Sequence, residues 1–153
     1  MIRLLLPTES PQDDSGGRGA GYSDTPLVRK LGIKPGWRML VIDPPAIYWE
    51  LLGPLPEGTS VIPLAGSEQV EFVHLFTQDG AGLEQYLQTL RKRILPHGMI
   101  WVSWPKKSSG VRTDLDETHI RTLALRTQLV DVKVAAIDQT WSGLKLVIRV
   151  KDR

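Results

Sequence analysis

Two short stretches of this chain carry side chains able to hold an anion: Lys106-Lys107-Ser108-Ser109-Gly110 and Thr140-Trp141-Ser142-Gly143. Lysine ammoniums, hydroxyls and the freed amides of a glycine-containing turn are the groups that bind phosphate or carboxylate oxygens. An indole adds a flat apolar wall for a ring, or an anchor for a protein partner. Asp43, followed by Pro44 and Pro45, is a third candidate position. The same residues have a plainer reading, in which the lysines are solvated, the serines shape a turn and Trp141 caps the core.

Other chemistry has less to draw on. His74, His97 and His119 share no metal-ligand spacing, and His74 sits inside an apolar run, as a hydrogen-bonded core histidine does. Asp114, Asp116 and Glu117 cluster at a helix start, and Arg91-Lys92-Arg93 at a helix end; both placements suit the helix dipole. Trp141-Ser142-Gly143 lacks the glycine two residues before the serine that a nucleophile elbow needs. Cysteine is absent, so thiol catalysis, disulfides and thiolate metal sites are excluded. No cofactor and no metal is assigned from these residues.

Periodicity and turn chemistry define the helices and strands that carry these candidates. Thr25 is expected to cap a short helix over Pro26–Leu31 that Gly32 ends. Arg38–Ile42 is short, apolar and bounded by turns, as a strand buried on both faces should be. Asp43-Pro44 reads as a cap and first-turn proline opening a helix through Leu52 to Gly53. Thr59–Pro63 is an expected edge strand, because proline cannot donate to an interior ladder, and Val70–Phe76 a central one. Leu83, Tyr86, Leu87, Leu90 and Ile94 form one helical stripe from about Gly82 to Leu95, which Pro96-His97-Gly98 breaks. Met99–Trp104 is the fourth strand; in it Trp101 and Trp104, three residues apart, point to opposite faces. Thr113–Asp116 resembles a capping box for the next helix. Val130–Ile137 and Leu144–Val150, joined by Asp138–Gly143, form an antiparallel hairpin.

This order predicts a single α/β domain over residues 22–153: a Rossmann-like three-layer sandwich, mostly parallel, ending in an antiparallel hairpin. Residues 1–21 are expected to be a mobile leader, because Pro7–Gly21 is too poor in apolar side chains to offset the entropy of ordering it. In such a sheet the loops leaving the strand carboxyl ends gather along one edge, so 106–110 and 140–143 become neighbours if the last strand inserts beside the fourth.

The chain has 153 residues, 41% hydrophobic and 24% charged, the balance of an ordinary globular domain. Nineteen Lys and Arg against 17 Asp and Glu leave a formal charge of only +2, so nucleic acid is not the expected partner; an anionic small molecule or a protein is. No apolar run approaches the roughly 20 residues needed to span a bilayer, so no membrane partner is expected and the cytoplasm is the expected compartment. Composition leaves the oligomeric state open.

Two resemblances add to this. Gly32-Ile-Lys-Pro-Gly36, Leu95-Pro-His-Gly98 and the terminal hairpin are similar to the framework of S-adenosylmethionine-dependent methyltransferases. More closely, Gly21-Tyr-Ser-Asp-Thr-Pro-Leu27, Phe72–Phe76, Trp101–Gly110, Val130–Val134 and Thr140–Lys145 resemble a bacterial domain-of-unknown-function family (number 3052). The resemblance implies a small methyltransferase-like domain of unassigned activity and supplies no catalytic residue. It also implies a glycine-rich turn after the first strand and an acidic residue after the second, to hold the cofactor. Asp43-Pro44-Pro45 replaces that turn, and no acid closely follows Val61-Ile-Pro-Leu64. Asp-Pro-Pro followed by an aromatic residue is the signature of amino-group methyltransferases, but here Ala46 takes the aromatic position. A domain that binds an anion or a protein without methyl transfer is the preferred expectation. The alternatives are a methyltransferase with an atypical cofactor loop and an interaction module using the tryptophan loop.

Overall fold

The computed structural model describes residues 25–153; the expected leader lies outside them. Six strands, β1 (Arg38–Ile42), β2 (Ser60–Val61), β3 (Val70–Phe76), β4 (Ile94–Pro105), β5 (Leu129–Ala136) and β6 (Trp141–Ile148), form one sheet in the order β2-β1-β3-β4-β6-β5. The first four are parallel to one another, and β6 lies antiparallel between β4 and β5. The last strand does insert beside the fourth.

Alternating residues of the central strands feed two cores. On one face, α3 (Leu83–Arg93) and α4 (Glu117–Arg126) cover Leu40, Val73, Ile100, Val102 and Leu144. On the other, α1 (Leu27–Leu31) and α2 (Tyr48–Leu52) cover Met39, Phe72, Phe76 and Trp101. Trp104 belongs to the first core and Trp101 to the second, the opposite-face placement that a spacing of three requires. The three-layer α/β sandwich is therefore the observed architecture.

Several local expectations are corrected. The cap position of α1 is Pro26, without a side-chain cap bond, although Gly32 ends the helix at φ 82° as expected. Asp43 does not cap α2, because Pro45 holds Pro44 out of helical geometry. The first turn forms only beyond it, where the Tyr48 amide bonds the Pro45 carbonyl at 2.9 Å. α4 is capped by Asp116, whose carboxylate accepts the His119 amide at 2.8 Å; Thr113 instead accepts the Leu115 amide and donates to the Gln78 carbonyl. β4 begins at Ile94, directly after α3, and Pro96–Gly98 are a bulge inside it, since Val70 pairs with Ile94 but Phe72 with Met99. Gly98 permits that bulge: a Cβ there would sit 2.9 Å from the Glu71 carbonyl oxygen. β6 starts at Trp141, three residues earlier than its composition suggests.

Candidate functional site

The two stretches singled out for chemistry meet. Where β4 ends, the Lys106 amide donates to the Thr140 carbonyl at 2.8 Å. Each side is braced from within its own loop. Lys107–Ser109 form one 3₁₀ turn closed by Gly110 at φ 80°. The Ser109 hydroxyl donates to the Lys106 carbonyl at 2.7 Å and accepts the Val111 amide at 3.1 Å. Across from it, the buried Asp138 carboxylate accepts the amides of Thr140 and Trp141, both at 2.8 Å. That Asx turn fixes the hairpin tip.

The candidates divide by what they touch. Lys107 and Ser108 are exposed, whereas Ser109 is spent on the turn. Trp141 opens β6 opposite Pro105 and packs edge-on against Phe76, centroids 5.2 Å apart, with part of its ring exposed. Ser142 lies in β6 opposite Trp104. Gly143 is a packing residue: a Cβ there would meet Ile137 Cδ1 at 3.0 Å and Trp101 Cε3 at 3.1 Å. Asp43 stands apart. It is at the carboxyl end of β1 with φ 54°, and β3 lies between that strand and β4. On α3, burial and then the Asp43 charge raise the Tyr86 phenol above its ordinary value.

Electrostatics draws in residues that the sequence does not flag. Partial burial lowers the Lys106 ammonium below the ordinary lysine value, and the Asp138 carboxylate opposes that. Lys30, at the end of α1, is lowered by burial and then by the charges of Lys106 and Lys133. Its ammonium donates to the Ala136 carbonyl at 2.9 Å, so α1 reaches the hairpin beside the Lys106–Thr140 junction. Counting the hairpin register would have found Lys133. Nothing in the sequence brings Lys30 to it.

Beneath this edge lies a closed polar chain. Tyr48 Oη is 2.8 Å from His74 Nδ1, and His74 Nε2 is 2.8 Å from Ser103 Oγ, all buried. Burial pushes the imidazole down to about 3 and raises the phenol, so both stay neutral at ordinary pH. His74 stacks on Phe76 with centroids 4.2 Å apart. It is a core histidine, as its apolar run indicates. The acidic cluster is likewise structural: Asp114 accepts the Gly80 amide at 2.9 Å, Asp116 caps α4, and Glu117 pairs with Arg121. Among the described residues no group of three or more His, Asp or Glu could hold a metal ion, and no helix is long and apolar enough to cross a membrane.

The turn leaving β1 tests the cofactor that this architecture implies. Asp43 takes a left-handed conformation, and Pro44 and Pro45 that follow have no amide hydrogen to offer. After β2 the first carboxylate is Glu68, whose oxygen lies 3.5 Å from Arg38. These residues do not fit S-adenosylmethionine held by close backbone approach and a ribose-binding acid.

No protein-family model matches the chain, and none of the curated proteins does. Solved structures do resemble it. A ribosomal protein L11 methylase from Lactobacillus delbrueckii subsp. bulgaricus superposes with TM-score 0.57 at 8% identity, covering 80% of this chain and 75% of that one. A SAM-dependent methyltransferase from Aquifex aeolicus gives 0.55 at 11% identity over 80% and 88%. The DhpI–SAH complex gives 0.58 at 10% identity over 82% and 83%. At such identities the likeness is one of fold: the chain has a methyltransferase-like fold.

Proposed function

We propose that this chain is a binding domain on a methyltransferase-type sheet, taking an anionic small molecule at the junction of residues 106–110 with 140–143 and performing no methyl transfer. Its place in the domain-of-unknown-function family 3052 belongs to the same proposal. The observation that carries it is the Lys106–Thr140 bond of 2.8 Å, which joins a loop bearing two lysines to a half-buried indole. Lys106 binds the anion, Lys107 and Ser108 close over it from solvent, and Trp141 supplies the apolar wall. The turn at Asp43–Pro45 argues against the methyltransferase alternative, because it removes two amide donors where the cofactor's chain would lie.

Thermal-shift titration with adenosine triphosphate and with citrate tests the proposal. The native chain is expected to respond to at least one of them, and the double variant Lys106→Ala, Lys107→Ala to neither; an unchanged response removes these lysines from the site. Calorimetry with S-adenosylmethionine and S-adenosylhomocysteine is expected to show no micromolar binding. Heat from either would restore a methyltransferase with an atypical cofactor loop.

A further inference from the structure

One row of residues crosses the sheet on the face covered by α1 and α2: Val41, His74, Trp101, Lys145, Lys133, each directly opposite the next. It runs from the aromatic core to two lysines side by side. Like charges facing each other across an antiparallel pair repel. A lysine that guards an exposed sheet edge would account for Lys133, since β5 is the edge strand, but not for Lys145 on the inner strand β6. A third ammonium is held beside Lys133. Lys30 is tied to Ala136 at 2.9 Å, and the Lys133 ammonium reaches the Lys30 carbonyl at 3.4 Å. Those carbonyls account for one N–H of Lys30 and one of Lys133. Among the described residues, no carboxylate forms an ion pair with Lys30, Lys133 or Lys145. Burial, followed by repulsion from Lys133 and Lys34, holds the Lys145 ammonium below the ordinary lysine value, and an anion placed among them would reverse the second effect.

Resting on the anion site proposed above, we infer that Lys30, Lys133 and Lys145 extend it and that its ligand is a soluble molecule carrying two or more linked phosphates. The charges demand several negative charges close together rather than one. All the cations are lysines, which act on phosphate as point charges, and none is an arginine fork suited to a single planar carboxylate. Lys106 at the loop and Lys133 on the edge strand both act on the Lys30 ammonium, so the cluster is continuous from the anion site proposed above to β5.

Calorimetric titration at constant ionic strength with orthophosphate, pyrophosphate and tripolyphosphate tests this, using the full chain. Affinity is expected to rise at least about tenfold from orthophosphate to tripolyphosphate. Lys133→Gln with Lys145→Gln is expected to remove that gain while raising the ligand-free melting temperature, because it relieves the cross-strand repulsion. The melt also reports that the variant folds. Binding that depends on Lys106 but is equal for the three anions, or is untouched by the double variant, overturns this inference and leaves the anion site standing. Absence of binding by all three anions, together with no response to citrate or adenosine triphosphate, overturns both. A single-stranded oligonucleotide that outcompetes tripolyphosphate overturns the assignment to a small phosphate ligand.

Discussion

At the scale of single residues, His74 shows how burial fixes a protonation state. It is fully enclosed, bonded at both ring nitrogens and stacked on Phe76, with its imidazole pushed from 6.5 down to about 3. Between those values the unfolded chain takes up a proton that the folded chain refuses. The contribution is therefore intact above about pH 6.5 and is lost as the pH falls, by up to about 1.4 kcal/mol per unit. Urea midpoints at about pH 7, 5.5 and 4.5 are expected to decline, and His74→Gln to lower the first but flatten the slope. An unchanged slope in the variant would assign the acid sensitivity to other groups. Apolar neighbours in sequence identify His74 as a core residue, but Tyr48 and Ser103 as its partners follow only from sheet register. Lys106 differs in kind: its type and loop make it a candidate from sequence, whereas Lys30 and Lys145 lie in a helix and a strand whose spacing carries no sign of charge convergence.

At the scale of elements, the connection from β2 to β3 runs past β1 in eight residues, 62–69, without a helix. Arg93, buried at the end of α3, holds it by donating to the carbonyls of Pro63, Leu64 and Glu68. The sequence places Arg93 in the basic last turn of a helix; its burial depends on a segment more than twenty residues earlier in the chain. Removing the guanidinium takes three hydrogen bonds from a connection whose acceptors water can reach, so Arg93→Ala is expected to cost about 1–3 kcal/mol in urea unfolding, and Arg93→Lys to recover little of it. A loss below about 1 kcal/mol would show that the connection is held by other means. Element boundaries diverge from the sequence for comparable reasons. Pro45 delays α2 by a turn, and pairing with Pro105 and Trp104 draws Trp141 and Ser142 out of the loop into β6.

For the whole molecule, the sheet sets a gradient of protection. β1, β3, β4 and β6 are flanked on both sides, while β2 has two exposed residues and β5 presents Val132 and Val134 at 54% and 47% exposure. Native-state hydrogen exchange is expected to be slowest in β3, β4 and β6 and fastest at the two edges. Equal protection across β5 would mean that its edge is covered in solution. Apolar periodicity and turn residues were enough to specify the layer architecture, the identity of nearly every strand and the opposite facing of Trp101 and Trp104, because both signals are local and a buried sheet leaves them few arrangements. Tertiary structure alone decided the rest: the Lys106–Thr140 contact, the row from Trp101 to Lys145 and Lys133, and the arrival of Lys30 beside Lys133. Those depend on register and on helix placement, which bring together charges from distant parts of the chain that no local pattern relates.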